Sequence, residues 1–234
     1  MKLNKITRIF FLIFFLVPLF LLAQDQRLVK TKVADALALL PATDNQQAAR
    51  IFQDLINLGD EGLQLVTDGV QPNGVAEGIP SRYAVSLLTH HASTKEQKVK
   101  IERAYLEALK KTTNTEVKSY FMDNLKLVGS NESVAVLSAY IGDKEIYDPA
   151  ISTLVRIGSE DASKALMNSL PNQPASTQVR LIKALGELKY LPALATITPF
   201  ASSDNTLLKK QALWTIALMA DASSYKVLLQ QANN

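Results

Sequence analysis

The amino-acid sequence predicts an all-α protein built as an α-solenoid, a superhelix of stacked antiparallel helix pairs. Three observations predict this fold: long stretches with few helix breakers, apolar residues at helical spacing, and recurrence of that spacing about every 30 residues. The chain has 234 residues, of which 47% are hydrophobic, with only nine glycines and nine prolines. This composition provides for a substantial core and favours helices over strands.

A signal peptide is predicted over residues 1–23. Three basic residues within the first eight positions precede an almost continuously apolar stretch over 9–22, and Ala23 supplies the small residue of a cleavage site. The apolar stretch is shorter than the roughly 20 residues of a membrane-spanning helix. We therefore expect cleavage near Ala23 rather than a retained anchor. The mature protein is expected to be periplasmic or secreted, and to meet a membrane only through the signal segment before cleavage.

The charge balance argues against a nucleic-acid partner. The formal net charge of +3 comes from 25 basic and 22 acidic residues, and three of the basic ones lie in the predicted signal peptide. The remaining chain is therefore formally neutral, whereas nucleic-acid-binding proteins usually carry a basic stripe. There is no cysteine, so no disulfide stabilises the exported protein and burial must do so.

Regular repeats are predicted over residues 115–234. Four anchor residues, Leu125, Leu154, Leu185 and Ile216, bring their neighbours into apolar columns. The column four residues earlier holds Phe121, Ala150, Leu181 and Ala212. The column three residues earlier holds Met122, Ile151, Ile182 and Leu213, and the column three residues later holds Val128, Ile157, Leu188 and Met219. These offsets describe one face of an α-helix, the first helix of each repeat.

A second helix follows each first helix. Its two apolar columns are Leu137, Leu166, Ile197 and Leu228, then Ile141, Leu170, Ala201 and Ala232. The turns between the helices are predicted one residue after the last apolar column, at Gly129, Gly158, Lys189 and Ala220. Glycine is favoured there because it adopts a positive φ without penalty, although two of the four turns do not use it. Helix starts are predicted at Ser130, Asp148 followed by Pro149, Ser159, Pro192 and Asp204.

Residues 24–114 carry the same pattern less regularly. One amphipathic helix over 29–40 is typical of a terminal cap, and two irregular helix pairs follow, the first with its turn at Gly59. The longest irregular stretch, residues 67–80, contains three of the nine glycines. Long loops on a scaffold often bind ligands, but they also tolerate insertions, and both interpretations stay open.

The unit EIYDPAISTLVRIGSEDASKALMNSL resembles HEAT repeats, in particular the short HEAT-like repeats named after phycobilisome lyases. The matching residues include Asp148, Pro149, Leu154, Ile157, Gly158, Ala162 and Leu166. The segments LLAQ, KVADALALLP, LINLGDEG, RYAVSLL, EVKSYFMDNLKLVGS and IKALGEL are similar to the N-terminal helical region of exported bacterial proteins. Those proteins often continue into a keto-disaccharide hydrolase-type domain, and the resemblance implies no activity for the residues present in this chain.

No catalytic, cofactor-binding or metal-ligating residue is predicted. His90 and His91 are adjacent on a helix and point about 100° apart, whereas a helical metal pair needs i and i+4. The carboxylate pairs Asp60-Glu61 and Glu160-Asp161 follow helix breaks, where they cap backbone amides and meet the positive end of the dipole. The charged stretch over 93–111 is predicted to be a solvated helix face.

The predicted function is that of a non-catalytic exported HEAT-like module for binding or scaffolding, with a protein or a glycan as its partner. The second helices are expected to line the binding face, with Tyr140, Lys164, Thr196 and Lys226 as its candidate residues. Two alternatives stay open. In the first, the chain is an accessory domain of a carbohydrate-active enzyme, and in the second it is a lyase-like HEAT-repeat enzyme.

Overall fold

The structure, a computed structural model, describes residues 28–219, 225–226 and 228–229. Within these residues every regular element is a helix and no strand occurs, which confirms the predicted all-α class. The predicted signal peptide, the turn at Ala220 and the column residue Ala232 lie outside the described residues. The helices group into two compact units, of which unit 1 ends at His91 and unit 2 begins at Ala92.

Unit 1 contains four described helices. They are α1 over 28–38, α2 (Asn45–Asn57), α3 (Gly59–Asp68) and α4 (Ile79–His91). Asp44 caps α2 by accepting a hydrogen bond from the Gln47 amide at 2.7 Å. α2 packs against α3 and α4, and side chains such as Leu55, Val66 and Leu88 are completely buried. The apolar side chains that recur at helical spacing in these helices therefore form the core of unit 1.

Unit 2 contains eight described helices. They are α5 (Lys95–Lys111), α6 (Thr115–Val128), α7 (Glu132–Ser138), α8 (Tyr147–Ile157), α9 (Glu160–Ser169), α10 (Ala175–Glu187), α11 (Leu194–Ile197) and α12 (Thr206–Met219). The first helices pack in succession, α6 on α8, α8 on α10, and α10 on α12. The second helices α7 and α9 pack on each other and on the first helices next to them. The predicted boundary between irregular and regular repeats at 114/115 falls inside this unit, which also contains α5.

The predicted apolar columns form the core of unit 2. All four anchors and all four residues of the column four positions earlier are completely buried. The second-helix columns are also buried in the three repeats where both are described. Three column residues are only half-buried. Ile157 and Leu188 lie at helix ends, and Leu213 lies on α12, which is not followed by another described first helix.

Equivalent hydrogen bonds join neighbouring repeats. Thr153 Oγ1 donates to the Met122 carbonyl at 2.9 Å, and Thr215 Oγ1 donates to the Ile182 carbonyl at 3.2 Å. Each threonine immediately precedes an anchor, and each carbonyl lies three residues before the preceding anchor. A Cβ at Gly186 would lie 2.9 Å from Thr215 Cγ2, so the glycine permits this close approach. The periodic sequence thus produces a periodic contact.

The helix ends agree with the predictions at some positions and differ at others. Gly158 and Lys189 have positive φ values of 63° and 48°, as expected for these turns. Gly129 does not, because its φ is −67° and the chain leaves α6 in an extended conformation.

Ser159 caps α9 as predicted, whereas the cap of α12 is Asn205 rather than Asp204. α8 begins at Tyr147, so Asp148 lies in its first turn and pairs with Arg180 instead of capping. The second helix of the third repeat is short because Pro192 and Pro199 are each the second residue of a 3₁₀ turn that flanks α11. Prolines supply no amide donor, which limits the length of this helix.

Candidate functional site

The four residues of the predicted binding face lie on or beside the second helices of different repeats. Tyr140 follows α7 and is half-buried, Lys164 is exposed on α9, and Thr196 is half-buried on α11. Lys226 is exposed in the helical pair 225–226. In the part of the chain that the structure describes, no hydrogen bond or ion pair joins any two of these four side chains.

Tyr140 is held by contacts with two neighbouring helices. Its hydroxyl donates to the Leu109 carbonyl at the end of α5 at 3.3 Å. The ammonium of Lys118 on α6 lies 4.9 Å from the centre of its ring, a distance suited to a cation–π contact. Burial of the phenol raises its pKa, the Asp143 charge raises it further, and the Lys110 charge opposes the rise. The ring is therefore a fixed, neutral aromatic surface beside cations.

Lys164 keeps its charge in a local ion pair. Its ammonium lies 2.9 Å from Glu160 Oε1, one helical turn earlier. This hydrogen bond raises the pKa of Lys164, and the nearby Tyr190 and Asp161 contribute in the same direction. Because the pair is exposed, it adds little stability, and both side chains are available to a partner.

The two histidines have backbone partners. His90 Nδ1 lies 2.7 Å from the Ser86 carbonyl, and His91 Nδ1 lies 3.1 Å from the Leu87 carbonyl. A carbonyl only accepts, so each Nδ1 is the donor. The His91 ring also stacks on Phe52 with 5.9 Å between ring centres. Among the described residues, no group of three His, Cys, Asp or Glu side chains is arranged to hold a metal ion.

The carboxylate pairs occupy helix starts, as predicted. Asp60 and Glu61 lie in the first turn of α3, and Glu160 and Asp161 in the first turn of α9. Asp161 also accepts a hydrogen bond of 2.9 Å from Asn131 Nδ2 in the preceding repeat. These contacts give the carboxylates roles in helix electrostatics and repeat packing.

Glu102 is a buried carboxylate on a helix face that was predicted to be solvated. The interpretation of residues 93–111 as a solvated face is wrong at this position, where only 2% of the side chain is exposed. Glu102 accepts hydrogen bonds from the Ser130 amide at 2.7 Å, the Ser130 hydroxyl at 2.8 Å and the Ser133 hydroxyl at 2.6 Å. The available signal was its position, one residue after Ile101 and four before Leu106, within the buried face of α5.

The predicted loop over 67–80 is shorter in the structure and is fastened to α4. α3 continues to Asp68, and a 3₁₀ turn over Ala76–Gly78 leads into α4. Val70 is buried, and the guanidinium Nε of Arg82 donates to the Gln71 carbonyl at 2.8 Å. These contacts hold the two ends of the segment, while residues 73–77 between them are exposed.

A surface cleft of about 410 Å³ lies between α1 and α2. It is lined by Lys32, Asp35, Ala36, Leu39, Asp54, Asn57 and Leu58. Apolar side chains and charges of both signs share its wall, which suits a small polar molecule without selecting one class. None of these residues belongs to a site predicted from the sequence.

The outer face of α12 carries an exposed apolar stripe, which we call the α12 stripe. It consists of Leu207, Trp214 and Leu218, with exposed fractions of 70%, 69% and 43%. Their spacing of seven and four residues places them on one side of the helix. None of the three residues belongs to a predicted apolar column.

Comparisons with known proteins leave the family open. No family model matches the chain, and no curated protein matches it. A crystal structure of an engineered protein is similar at 15% sequence identity and a TM-score of 0.43 over 86% of this chain. The chain spans 61% of the length of that engineered protein. None of the helices in the described residues is long and apolar enough to cross a membrane.

Proposed function

We propose that unit 2 is an α-solenoid of HEAT-like repeats and that the protein is an exported, non-catalytic module that binds a protein partner. The observation that carries this proposal is the recurrence of one contact, the threonine before an anchor donating to a carbonyl of the preceding repeat. Repeat proteins bury each unit against its neighbour in this way. The HEAT-like resemblance and the signal-peptide pattern support the family and the export.

The stacked second helices would form the binding surface. Solenoids present such rows as extended surfaces, because repeat packing uses the apolar columns and leaves the outward residues free. Tyr140, Lys164, Thr196 and Lys226 are the proposed contacts. Tyr140 supports this role best, since its fixed aromatic ring beside the Lys118 ammonium is typical of an interface anchor.

A glycan is the second candidate partner. The observation that favours it is the same ring, because a tyrosine held in one orientation can stack on the apolar face of a sugar. The further alternatives, an accessory domain of a carbohydrate-active enzyme and a lyase-like enzyme, rest on the sequence resemblances.

Partner capture from an envelope extract tests the proposal. The mature protein and two variants, Tyr140→Ser and Lys164→Glu, would be compared with a matched control, Lys183→Glu, which changes an exposed lysine on the first helix α10. We expect the first two variants to lose at least about tenfold in affinity for the captured protein, and the control to retain it. Equal binding by all variants would contradict the proposed surface. Binding of glycans with the same variant pattern would favour the second candidate.

A further inference from the structure

The sequence contains a single Asn-Gly pair, Asn73 and Gly74, at the tip of the connection between α3 and α4. Both residues are exposed. The Val75 amide donates to the Pro72 carbonyl at 3.2 Å, so the pair occupies the two central positions of a tight turn. Gly74 has a φ of 89°, a value that glycine adopts without penalty. The turn therefore presents both residues to water.

The backbone amide of Gly74 is accessible to the side chain of the asparagine before it. Among the described residues, this amide donates no hydrogen bond. Apart from the adjoining residues, no atom lies within 4 Å of the place where a Cβ of residue 74 would stand. Glycine also has no side chain of its own to shield the nitrogen. An unshielded nucleophile and the carboxamide of Asn73 are thus neighbours in one exposed turn.

We propose that Asn73 is a site of spontaneous modification, in which its carboxamide is converted into a carboxylate through a cyclic imide formed with Gly74. The Gly74 nitrogen gives its proton to solvent and attacks Cγ of Asn73, forming a new C–N bond. The bond between Cγ and Nδ2 then breaks, and Nδ2 takes a proton from solvent and leaves as ammonia. No atom is oxidised or reduced in this step.

Water opens the imide at either of its two carbonyl carbons. Attack at Cγ breaks the new C–N bond and gives aspartate. Attack at the main-chain carbonyl breaks the original peptide bond and gives isoaspartate, in which the chain runs through Cβ of residue 73. The overall change consumes one water and releases one ammonia. Both products are ionised at neutral pH.

The modification changes the charge of the loop tip. Residues 73–77 are all exposed, and Glu77 is the one charged residue among them. A carboxylate at residue 73 gives this short stretch a second negative charge. The inference goes beyond the proposed partner-binding function and does not depend on it.

The base of the loop is held by contacts at its two ends. Arg82 Nε donates to the Gln71 carbonyl at 2.8 Å, and Val70 is buried. A Cβ at Gly78 would lie 2.7 Å from the Gln71 nitrogen, so the two ends of the loop pack closely. None of these contacts includes Asn73. We therefore expect the modified protein to keep its helices.

Peptide mapping of the purified protein tests the proposal, because trypsin releases residues 51–82 as one peptide with two asparagines, Asn57 and Asn73. Asn57 is the internal control. It is also exposed, but the amide of the following Leu58 donates to the Leu55 carbonyl at 3.2 Å and is shielded by the leucine side chain. The protein would be aged in mildly alkaline buffer, with an unaged sample digested in parallel to correct for conversion during digestion.

Electron-transfer fragmentation in the mass spectrometer distinguishes aspartate from isoaspartate at each position. We expect Asn73 to convert into both products at least about tenfold faster than Asn57, because a free and unshielded amide lowers the barrier to attack. In water enriched with heavy oxygen, the product should take up one oxygen from solvent. Circular dichroism should give the same helix content and unfolding midpoint for aged and unaged protein.

Two variants identify the reacting groups. Asn73→Gln keeps the carboxamide but has to close a larger, less favourable ring, so it should abolish the modification. Gly74→Ala places a methyl group beside the nitrogen and should slow conversion about tenfold.

Three results would overturn the proposal. The first is equal conversion of Asn57 and Asn73. The second is an Asn73 that stays intact in the folded protein while a synthetic peptide of residues 67–80 converts, which would mean that the turn holds the Gly74 amide away from Cγ. The third is unchanged conversion in Gly74→Ala, which would contradict attack by that amide.

Discussion

Removing the Glu102 carboxylate should destabilise unit 2 far more than removing any exposed carboxylate. Glu102 is buried in α5 and accepts hydrogen bonds from one amide and two hydroxyls at the start of the next second helix. Hydrogen bonds to a charged group contribute about 1.5–3 kcal/mol each, and they are not additive within one cluster. Glu102→Ala leaves the Ser130 amide and the Ser133 hydroxyl without their acceptor and opens a cavity. We expect a loss of about 3–5 kcal/mol.

Glu102→Gln separates charge from shape. The amide oxygen can still accept from the Ser130 N–H, and the amide nitrogen can donate to a rotated serine hydroxyl. The expected loss is about 1–2 kcal/mol, because one charge-assisted set becomes a neutral one. Glu107→Gln is the matched control on the same helix, since Glu107 is half exposed and pairs with Lys110 at the surface. Its loss should stay below about 0.5 kcal/mol.

Chemical denaturation followed by circular dichroism measures these losses from the shift of the transition midpoint at constant m-value. A double-mutant cycle of Glu102→Ala with Ser133→Ala should give a coupling of about 1 kcal/mol or more. Equal losses for the Glu102 and Glu107 variants, or a coupling near zero, would contradict a stabilising role for the hydrogen bonds of Glu102 with Ser130 and Ser133.

Further predictions concern the contact between Thr215 and Gly186, the two turns with positive φ, and Tyr140. Thr215→Val should lower the free energy of unfolding by about 1 kcal/mol, measured by thermal unfolding. Gly186→Ala should lower it by about 1–3 kcal/mol, because the new methyl group meets Thr215, and Thr215→Ser should restore part of this loss. Gly158→Ala should destabilise and Lys189→Gly should stabilise, each by about 1 kcal/mol, because both positions have positive φ; opposite signs would contradict this. In ultraviolet titrations, the difference in phenolate absorbance between the protein and Tyr140→Phe should have its midpoint above pH 10.0, because burial raises the pKa of Tyr140. The stabilisation from the neutral phenol is then complete at neutral pH and is lost as pH rises through the folded pKa.

The buried side of the fold could be predicted from the sequence because one physical rule determines it. A residue in an apolar helical column must face the core, so the anchors Leu125, Leu154 and Leu185 were placed correctly without any structure. Helix starts were less certain, since several neighbouring residues can cap the same amide. Asn205 rather than Asp204 caps α12 for this reason.

Features that depend on contacts between repeats could not be placed from the sequence. The position of Glu102 on α5 is a signal for its burial but not for its partners, because the two serines lie about 30 residues away and the charges of Lys100 and Arg103 beside it do not indicate them. The extended conformation of Gly129 is linked to the same cluster, because it delivers the Ser130 amide to the carboxylate. The α12 stripe was overlooked for a simpler reason. Apolar side chains on a helix are expected to lie in the core, and they are recognised as exposed only once the opposite face is known to be buried.

Two deletions test the repeat architecture most directly. Deleting residues 150–180 removes one full period and joins Pro149 to Leu181, so every later residue keeps its column and Thr215 keeps the carbonyl of Ile182. Deleting residues 159–174 removes α9 and its following 3₁₀ turn and joins α8 directly to α10. The two first helices then have no returning helix between them and cannot pack side by side in the same direction.

The decisive measurement is the cooperativity of unfolding of these two deletion variants, followed by circular dichroism. The solenoid account predicts that the variant lacking residues 150–180 stays helical and unfolds in a sharp transition, and that Thr215→Val still costs it about 1 kcal/mol. It predicts a broad, weak transition for the variant lacking residues 159–174. A sharp transition in the second variant, or its loss in the first, would contradict the account.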